Sequence, residues 1–315
     1  MIELSKYYFG IDVGGTEIKF GMFNDSNKLL DSFRIPTPTV NVRVELVETI
    51  YTQIIKKLRQ DKHEVRELLG IGITIPGLVV DGIVAFCSNI DLGQDFDIVS
   101  EIKTRFGSPD LKVVVGNDAS LAAFGEYKFL NNSKVKNIVF ITLGTGVGGG
   151  IIVDGKLIKG FTGSAGEIGH IPYDLSNNRQ CGCGSVGCVE TVAGTYGMIK
   201  TAQDMMKTES STLKGLDVSP KLIFDHAKEG DLLALKTVDS VAKAIAYMAV
   251  TIAVTIDPEL FIIGGGISNA GSFLLSKINY HYQKLARFDT IKARFEIAKL
   301  GNDAGIYGAY YLVLE

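Results

Sequence analysis

The sequence predicts an α/β protein of two lobes that share a duplicated core in the order strand, strand, strand, helix, strand, helix. The main observation is a recurrence. In each half a strand enters a glycine-rich turn, a second strand follows, and a tight turn leads into a third strand. A duplicated supersecondary unit is the simplest explanation. The length of 315 residues agrees with this, because it favours about two domains.

The first half shows several strand patterns and one clear amphipathic helix. Residues 44–59 repeat apolar side chains at helical spacing, whereas the runs around them read as strands bounded by turn residues. The predicted elements are strands at 7–13, 17–24 and 28–35, a helix at 44–59, a strand at 69–75, a hairpin around 81–82, a helix at 96–105 and a strand at 112–115.

The second half begins at Asp118, which is predicted to be the N-cap of a helix at 119–129. The elements predicted after it are strands at 137–143, 151–153 and 156–158, helices at 191–207, 220–228 and 231–256, a strand at 260–263, a helix at 270–286, a strand at 295–300 and a last helix at 304–313. We expect the last helix to fold back on the first lobe. The expected division is an N-terminal lobe of residues 1–117 completed by 303–315, and a C-terminal lobe of 118–302, with the active cleft between them.

Composition narrows the class of protein. Hydrophobic residues make up 46% of the chain and charged residues 21%, as is ordinary for a globular protein with a large core. A formal net charge of −3 without a basic cluster argues against nucleic acid as a partner. The N-terminus lacks the arrangement of a secretory signal, and the longest apolar run, 244–256, fits a buried helix better than a bilayer span. We therefore expect a cytoplasmic protein with reduced thiols and no membrane partner.

A histidine and three cysteines form a compact metal-binding pattern. His170, Cys181, Cys183 and Cys188 follow the spacing H-x10-C-x-C-x4-C, and glycines between the cysteines permit tight turns. Three thiolates and one imidazole are the ligand set of a closed structural zinc site. Disulfides and incidental core cysteines are the alternatives. The fourth cysteine, Cys87, stands apart and is most simply a small buried hydrophobe.

Two glycine-rich turns indicate phosphate binding. Residues 12–16, Asp-Val-Gly-Gly-Thr, offer backbone amides to an anion beside a carboxylate that can hold hydrated Mg²⁺, although an ordinary hairpin would look the same. Residues 144–150 repeat the arrangement in the second half, and together the turns suggest a nucleoside triphosphate. Residues 144–149 also match G-x-G-x-x-G, but that dinucleotide motif must open a helix, and here a strand follows.

The chain resembles the ROK family of bacterial sugar kinases and related repressors, which have the actin/hexokinase-like fold. The resemblance covers essentially the whole chain. Its motifs are DVGGTEIK (12–19), IPG (75–77), SN (88–89), GND (116–118), LGTGVGGG (143–150), GEIGH (166–170), CGCGSVGCVE (181–190), GGG (264–266) and LGNDAG (300–305). It implies an ATP- and Mg²⁺-dependent sugar kinase with a structural Zn²⁺ ion, a small-molecule sugar as its partner and a homodimeric or higher homo-oligomeric state.

The resemblance also implies roles for single residues. Asp118 would be the general base that accepts the proton of the sugar's 6-hydroxyl. The implied sugar ligands are Asn89, Asn117, Asp118, Glu167, His170 and Glu190. The implied nucleotide-binding residues are Asp12, Gly14, Gly15, Thr16, Lys19, Gly144, Thr145, Gly146, Gly264, Gly265 and Gly266. His170 would bind zinc through one ring nitrogen and leave the other for a sugar hydroxyl. The second Asn-Asp pair, Asn302 and Asp303, is interpreted as structural.

Glucose is the first substrate expected, because the resemblance around 188–194 and 301–305 is closest to glucokinases. An N-acetylmannosamine or N-acetylglucosamine kinase is the alternative within the family. A sugar-responsive repressor is a more remote one, because such proteins carry a basic DNA-binding module ahead of the first strand, which here starts near residue 7. An inactive sugar-binding protein is opposed by the intact Asp118 and by both glycine turns.

Overall fold

The computed structural model describes residues 6–87, 89–132, 134–176 and 178–315, and its chain divides into two compact units. The first unit comprises Met1–Asn131, Lys159–Ser164 and Asn302–Glu315, and the second comprises Asn132–Ile158 and Ala165–Gly301. Each unit contains a five-stranded mixed sheet. The C-terminal segment therefore completes the first unit.

The first unit carries its sheet in the order β3-β2-β1-β4-β7, with a small separate hairpin formed by β5 and β6. Its strands are β1 (Tyr7–Val13), β2 (Glu17–Asn24), β3 (Leu29–Pro36), β4 (Leu68–Ile75), β5 (Leu78–Val80), β6 (Ile83–Phe86) and β7 (Lys112–Asn117). Its first three helices are α1 (Val42–Gln60), α2 (Ile98–Phe106) and α3 (Asp118–Leu130). Strand β1 pairs antiparallel with β2 and parallel with β4, which in turn pairs parallel with β7.

The second unit repeats this topology. Its strands are β8 (Ile138–Leu143), β9 (Val147–Val153), β10 (Lys156–Leu157), β11 (Leu260–Gly264) and β12 (Arg294–Ile297). Its helices are α4 (Glu190–Ala193), α5 (Thr195–Met205), α6 (Pro220–Lys228), α7 (Leu232–Ile256) and α8 (Ser272–Leu285), and the C-terminal helix that returns to the first unit is α9 (Ala304–Leu314). The sheet order β10-β9-β8-β11-β12 matches that of the first unit strand for strand, so the predicted duplication is present.

The helix α3 belongs to the first unit, whereas the sequence predicts it in the second. The reason is that α3 packs against α9, and the two helix backbones approach each other closely at the contact. Gly125 and Gly308 lie there, and a methyl group on Gly308 would overlap the Leu121 carbonyl oxygen. The boundary observed after Asn131 therefore replaces the expected one at 117.

Helix α7 is the long core helix of the second unit. Among the described residues, it is the one helix whose length and composition would suffice to cross a membrane, and half of its most apolar window is buried. It packs against α6 and α8, and thirteen of its residues are buried. The same composition is typical of a buried core helix, which is what the sequence predicts for its second half.

Three local predictions are wrong. Asn117, not Asp118, is the N-cap of α3, because its side chain accepts a hydrogen bond from the Ser120 amide. The second glycine turn is shorter than expected, because β9 already begins at Val147 and pairs through its glycines with β8. The helix predicted at 191–207 is two helices, because Gly194 between α4 and α5 has an extended backbone.

Candidate functional site

The predicted catalytic and phosphate-binding carboxylates lie at one edge of the first sheet. Strands β1, β4 and β7 are parallel neighbours, with Asp12 in register with Thr74 and Ile75 in register with Asn117. Asp118 follows directly as the first residue of α3. All of these positions are at the carboxyl ends of their strands, the edge at which open α/β sheets bind their ligands.

Asp12 is held in a partly buried position by the strand beside it. The Thr74 hydroxyl group donates a hydrogen bond to Asp12 Oδ1. Burial raises the pKa of this carboxyl above its ordinary value, and the hydrogen bond from Thr74 and the charge of Lys19 oppose the rise. A carboxylate fixed in this way at a strand end suits a hydrated Mg²⁺ ion, whose charge would favour the ionised form.

The first glycine turn presents its backbone outward. Gly15 and Thr16 are exposed, and the turn is closed by a hydrogen bond from the Gly14 amide to the Glu17 carbonyl oxygen, 2.9 Å. Thr37, the residue that follows β3, donates its hydroxyl hydrogen to the Gly14 carbonyl oxygen at 2.6 Å and anchors the turn. The turn thus has a fixed conformation and an accessible backbone at Gly15 and Thr16, as an anion site requires.

Asn89 lies beside this turn. A methyl group on Gly15 would be 3.3 Å from the Asn89 carbonyl oxygen, so the backbones of the two residues lie close together. Ser88, the other residue of the predicted SN motif, falls outside the described residues. The sugar-ligand role of Asn89 stays a prediction, and the residue lies next to the first glycine turn.

Lys19 differs from its predicted setting. Its side chain is buried, its ammonium group is paired with the Asp303 carboxylate, and it also donates to the Asn302 carbonyl oxygen at 3.0 Å. These partners satisfy the cation within the first unit. Binding of a nucleotide phosphate by Lys19 stays a prediction, and this ion pair competes with it.

Asn117 and Asp118 link the sheet edge to α3. Asn117 Oδ1 accepts from the Ser120 amide at 2.9 Å, and its Nδ2 donates to the Gly77 carbonyl oxygen at 3.0 Å. Asp118 Oδ1 accepts from the Ala119 amide at 2.8 Å. This hydrogen bond fixes the orientation of the Asp118 carboxylate at the start of the helix.

In the second unit, the second glycine turn is tied to the chain segment that follows the cysteines. The Thr195 amide and hydroxyl both donate to the Gly144 carbonyl oxygen, at 3.0 and 2.8 Å. The Val147 amide donates to Glu190 Oε2 at 2.9 Å. The turn itself is closed by a bond from the Gly144 amide to the Gly146 carbonyl oxygen, 3.0 Å. Turn and segment thus form one hydrogen-bonded structure.

The predicted metal ligands converge. One ligand atom from each of His170, Cys181, Cys183 and Cys188 lies within 4.8 Å of all the others. Cys181 Sγ is 3.4 Å from His170 Nδ1, and the Sγ atoms of Cys183 and Cys188 are 3.8 Å apart. In a tetrahedral site with Zn–S bonds of about 2.3 Å, two thiolates are roughly 3.8 Å apart. All four cysteines of the chain are unbridged, so the donor set fits zinc rather than a disulfide.

The thiol groups differ in acidity. Burial raises the pKa of Cys181 to about 12 and raises that of Cys188 too. A hydrogen bond from the Ser185 backbone is the main cause that lowers the pKa of Cys183. The raised pKa values mean that Cys181 and Cys188 favour the protonated thiol when no cation is near. A divalent cation would supply the charge that makes them thiolates.

His170 presents its two ring nitrogens to different neighbours. Nδ1 faces the cysteine cluster, whereas Nε2 is 3.7 Å from Glu167 Oε2. The Glu167 side chain is 53% exposed and that of His170 is 32% exposed. This arrangement leaves Nε2 and the Glu167 carboxylate on an accessible side, consistent with the predicted sharing of His170 between metal and sugar.

The three glycines at the end of β11, Gly264 to Gly266, differ in their surroundings. A methyl group on Gly264 would be 2.7 Å from the Phe140 ring, and one on Gly265 would be 2.4 Å from the Leu143 carbonyl oxygen. Gly266 faces open space. Close packing thus accounts for the first two, the alternative considered from sequence, while Gly266 alone has room beside it for a ligand.

Three residues hold the site together through contacts that the sequence did not predict. Thr74 binds Asp12, Thr195 binds Gly144, and Asp303 binds Lys19. The threonines occur in apolar or mixed contexts without a motif of their own. Asp303 lies in the LGNDAG motif and was interpreted as structural, but its pairing with Lys19 was not predicted.

Comparisons with known proteins agree with this arrangement. The sequence profile of the ROK family matches residues 8–315. A glucokinase of Halalkalibacterium halodurans is 35% identical and is aligned over 98% of this chain and 96% of its own. An N-acetylmannosamine kinase of Salmonella arizonae is 33% identical over 96% of both chains.

A solved structure extends the comparison to the fold. It is a ROK family glucokinase from Streptomyces griseus in complex with glucose and AMPPNP, with 31% identity, a TM-score of 0.77 and 98% of both chains covered. The two sheets with their matching strand order are accordingly those of the actin/hexokinase-like ATPase fold. The family profile and the relatives span nearly the entire chain, and this protein therefore belongs to the ROK family.

Proposed function

We propose that this protein is an ATP-dependent sugar kinase that transfers a phosphoryl group to the 6-hydroxyl of a hexose, with glucose as its preferred substrate. One observation carries the proposal. Asp12, at the end of β1, and Asp118, just after β7, are brought to the same edge of one parallel sheet segment. A kinase of this kind needs a phosphate-and-metal group and a general base close together.

Asp118 is proposed as the general base. Its carboxylate would accept the proton of the 6-hydroxyl as the hydroxyl oxygen attacks the γ-phosphorus of ATP and the bond to the β-phosphate breaks. The position at the helix N-terminus supports this role, because the hydrogen bond from the Ala119 amide fixes the orientation of the carboxylate. Positioning and charge neutralisation then supply the rest of the catalysis.

The nucleotide is proposed to bind at the glycine turns. In the first unit the amides of Gly15 and Thr16 would donate hydrogen bonds to phosphate oxygens, while the bond from the Gly14 amide to Glu17 keeps the turn closed. Asp12 would hold water molecules of the Mg²⁺ ion. In the second unit the corresponding amides are those of Thr145 and Gly146, while the Gly144 amide closes the turn by its bond to the Gly146 carbonyl oxygen. Gly266 would lie near the adenosine. The exposed backbone of the first turn supports this assignment.

The sugar is proposed to bind through amides, carboxylates and an imidazole, namely Asn89, Asn117, Asp118, Glu167, His170 and Glu190. Polyols need fixed donors and acceptors, because a missing partner leaves a polar group unpaired. A structural Zn²⁺ ion held by His170 and the three clustered cysteines would fix the loop that carries three of these ligands. Its contribution would be to folding and orientation.

Glucose is proposed ahead of the acetamido sugars. The 35% identity to a named glucokinase supports it, while the 33% identity to a named N-acetylmannosamine kinase supports the alternative nearly as well. We further propose that the protein works in the cytoplasm as a homodimer or a higher homo-oligomer. Light scattering during size-exclusion chromatography would measure the number of chains.

A substrate panel tests the proposal. ADP formation from ATP and Mg²⁺ is measured with glucose, mannose, N-acetylglucosamine and N-acetylmannosamine, and without sugar as the control. The expected result is glucose-dependent ADP formation with glucose 6-phosphate as product. Turnover confined to the acetamido sugars would overturn the choice of glucose, and no sugar-dependent turnover at all would overturn the kinase proposal.

A further inference from the structure

The carboxylate of Glu190 lies directly over Gly146 in the second glycine turn. A methyl group on Gly146 would be 2.2 Å from Glu190 Oε2 and 2.9 Å from its carboxyl carbon. The same oxygen accepts the Val147 amide hydrogen bond at 2.9 Å. The space that a side chain at position 146 would fill is thus already filled by Glu190.

The other carboxylate oxygen of Glu190 points to the predicted zinc ligands. Oε1 is 3.4 Å from Cys181 Sγ. One end of the carboxylate is therefore fixed by the glycine turn and the other lies against a predicted zinc ligand. Since Glu190 is partly buried between these two neighbours, its rotamer depends on both.

We propose that Gly146, in the second glycine turn, is a positioning residue for sugar recognition. Because it has no side chain, it leaves the space in which the Glu190 carboxylate is held. This inference rests on the proposed function, in which Glu190 is a sugar ligand. Gly146 would then have a second role besides nucleotide binding, and the second glycine turn would be connected to the loop that carries Glu190.

The physical reason is the sensitivity of polar recognition to geometry. A methyl group on Gly146 would push the carboxylate off the Val147 amide, and the turn would lose the acceptor that fixes it. A displaced carboxylate leaves its sugar hydroxyl unpaired, which costs more than the loss of an apolar contact. The damage should appear in sugar binding even when no nucleotide is present.

The chain offers a matched control in the same turn. A methyl group on Gly144 would meet nothing within 4 Å. Glucose binding is measured by isothermal titration calorimetry, without nucleotide, for the wild type, Gly146→Ala and Gly144→Ala. We expect Gly146→Ala to weaken glucose binding by about tenfold or more and Gly144→Ala to change it by less than about twofold. In turnover assays, Gly146→Ala should raise the KM for glucose more than the KM for ATP.

A stability cycle shows whether Glu190 is the cause. Gly146→Ala should lower the midpoint of thermal unfolding in the wild-type background and have a much smaller effect in Glu190→Ala, where no carboxylate remains to be displaced. The double variant also covers the case in which Gly146→Ala by itself does not fold, because relief of the overlap should restore folding.

The outcomes separate the inference from the proposed function. Unchanged glucose affinity in folded Gly146→Ala would overturn the inference while leaving the kinase proposal intact, and so would equal loss of stability with and without Glu190. Failure of the wild-type chain to bind glucose or any other sugar of the panel would overturn the proposed function itself.

Discussion

The ammonium group of Lys19 is paired with the carboxylate of Asp303, which joins strand β2 to the residue just before helix α9. The Lys19 side chain is 8% exposed and that of Asp303 is 40% exposed. Lys19 is also in register with Asp12 on the neighbouring strand. The pair therefore neutralises a buried cation beside the proposed metal-binding carboxylate and fastens the C-terminal helix to the sheet.

Replacement of Asp303 should destabilise the protein. Asp303→Asn leaves the buried Lys19 cation without its counter-charge, and we expect the free energy of unfolding in urea to fall by about 1 to 3 kcal/mol. Asp289→Asn is the control, because Asp289 forms an exposed ion pair with Lys292 and should contribute less than about 0.5 kcal/mol. Equal effects of the two substitutions would argue against a structural role for Asp303.

Asp118→Asn should abolish phosphoryl transfer and spare sugar binding. The amide is nearly the same shape but cannot accept the hydroxyl proton, so we expect kcat to fall by about 10²- to 10⁴-fold. Glucose affinity, measured by calorimetry, should change little. Asp110→Asn is the matched control, because Asp110 is an exposed residue on the loop before β7. Turnover of Asp118→Asn at the wild-type rate would remove Asp118 from the role of base.

Sequence reasoning recovered the fold because its signals were local and repeated. The strand pairs around the predicted turns at 12–16 and 144–150 indicated the duplication, and the two sheets have the same strand order. It misplaced the boundary of the first unit, because the packing of α3 on α9 joins positions more than 170 residues apart, such as Gly125 and Ala304. No local pattern encodes a contact of that range.

In the candidate site, too, local contacts were predicted and long-range contacts were not. The cysteine spacing predicted a ligand cluster that the structure brings together, since those residues are close in sequence. The contact of Glu190 with Gly146 and the pairing of Lys19 with Asp303 were not predicted. Both depend on where a loop or a terminal helix docks, which the spacing of residues along the chain does not reveal.

Acid should weaken the N-cap of α7. Asp231 accepts hydrogen bonds at this helix end from four donors: Ala234 N, Thr212 N, Thr212 Oγ1 and Ser211 Oγ. Burial raises the pKa of Asp231, but these bonds outweigh it and lower the pKa from 3.8 to about 2. A lowered folded-state pKa means that the carboxylate's contribution is complete above about pH 4 and is lost as the pH falls towards 2.

The measurement is urea unfolding of the wild type and Asp231→Ala at a series of pH values. At pH 7 the substitution should cost about 1 kcal/mol, as for other N-caps, and the difference between the two proteins should narrow between about pH 4 and 2. Asp217→Ala, at an exposed position, is the control and should show little difference at any pH. A difference that stays constant down to pH 2 would contradict the role of the ionised carboxylate.

Cys183→Ser should remove the zinc ion and, with it, much of the sugar affinity. Serine is a poor zinc ligand, and loss of one of four ligands releases the loop that carries His170 and the neighbouring carboxylates. Elemental analysis should find about one zinc ion per chain in the wild type and much less in the variant. Cys87→Ser should keep its zinc, because Cys87 lies outside the cluster and donates to the Pro76 carbonyl oxygen. A wild-type protein free of zinc would contradict the site, and a zinc-free Cys183→Ser that binds glucose normally would show that the metal does not hold the sugar ligands.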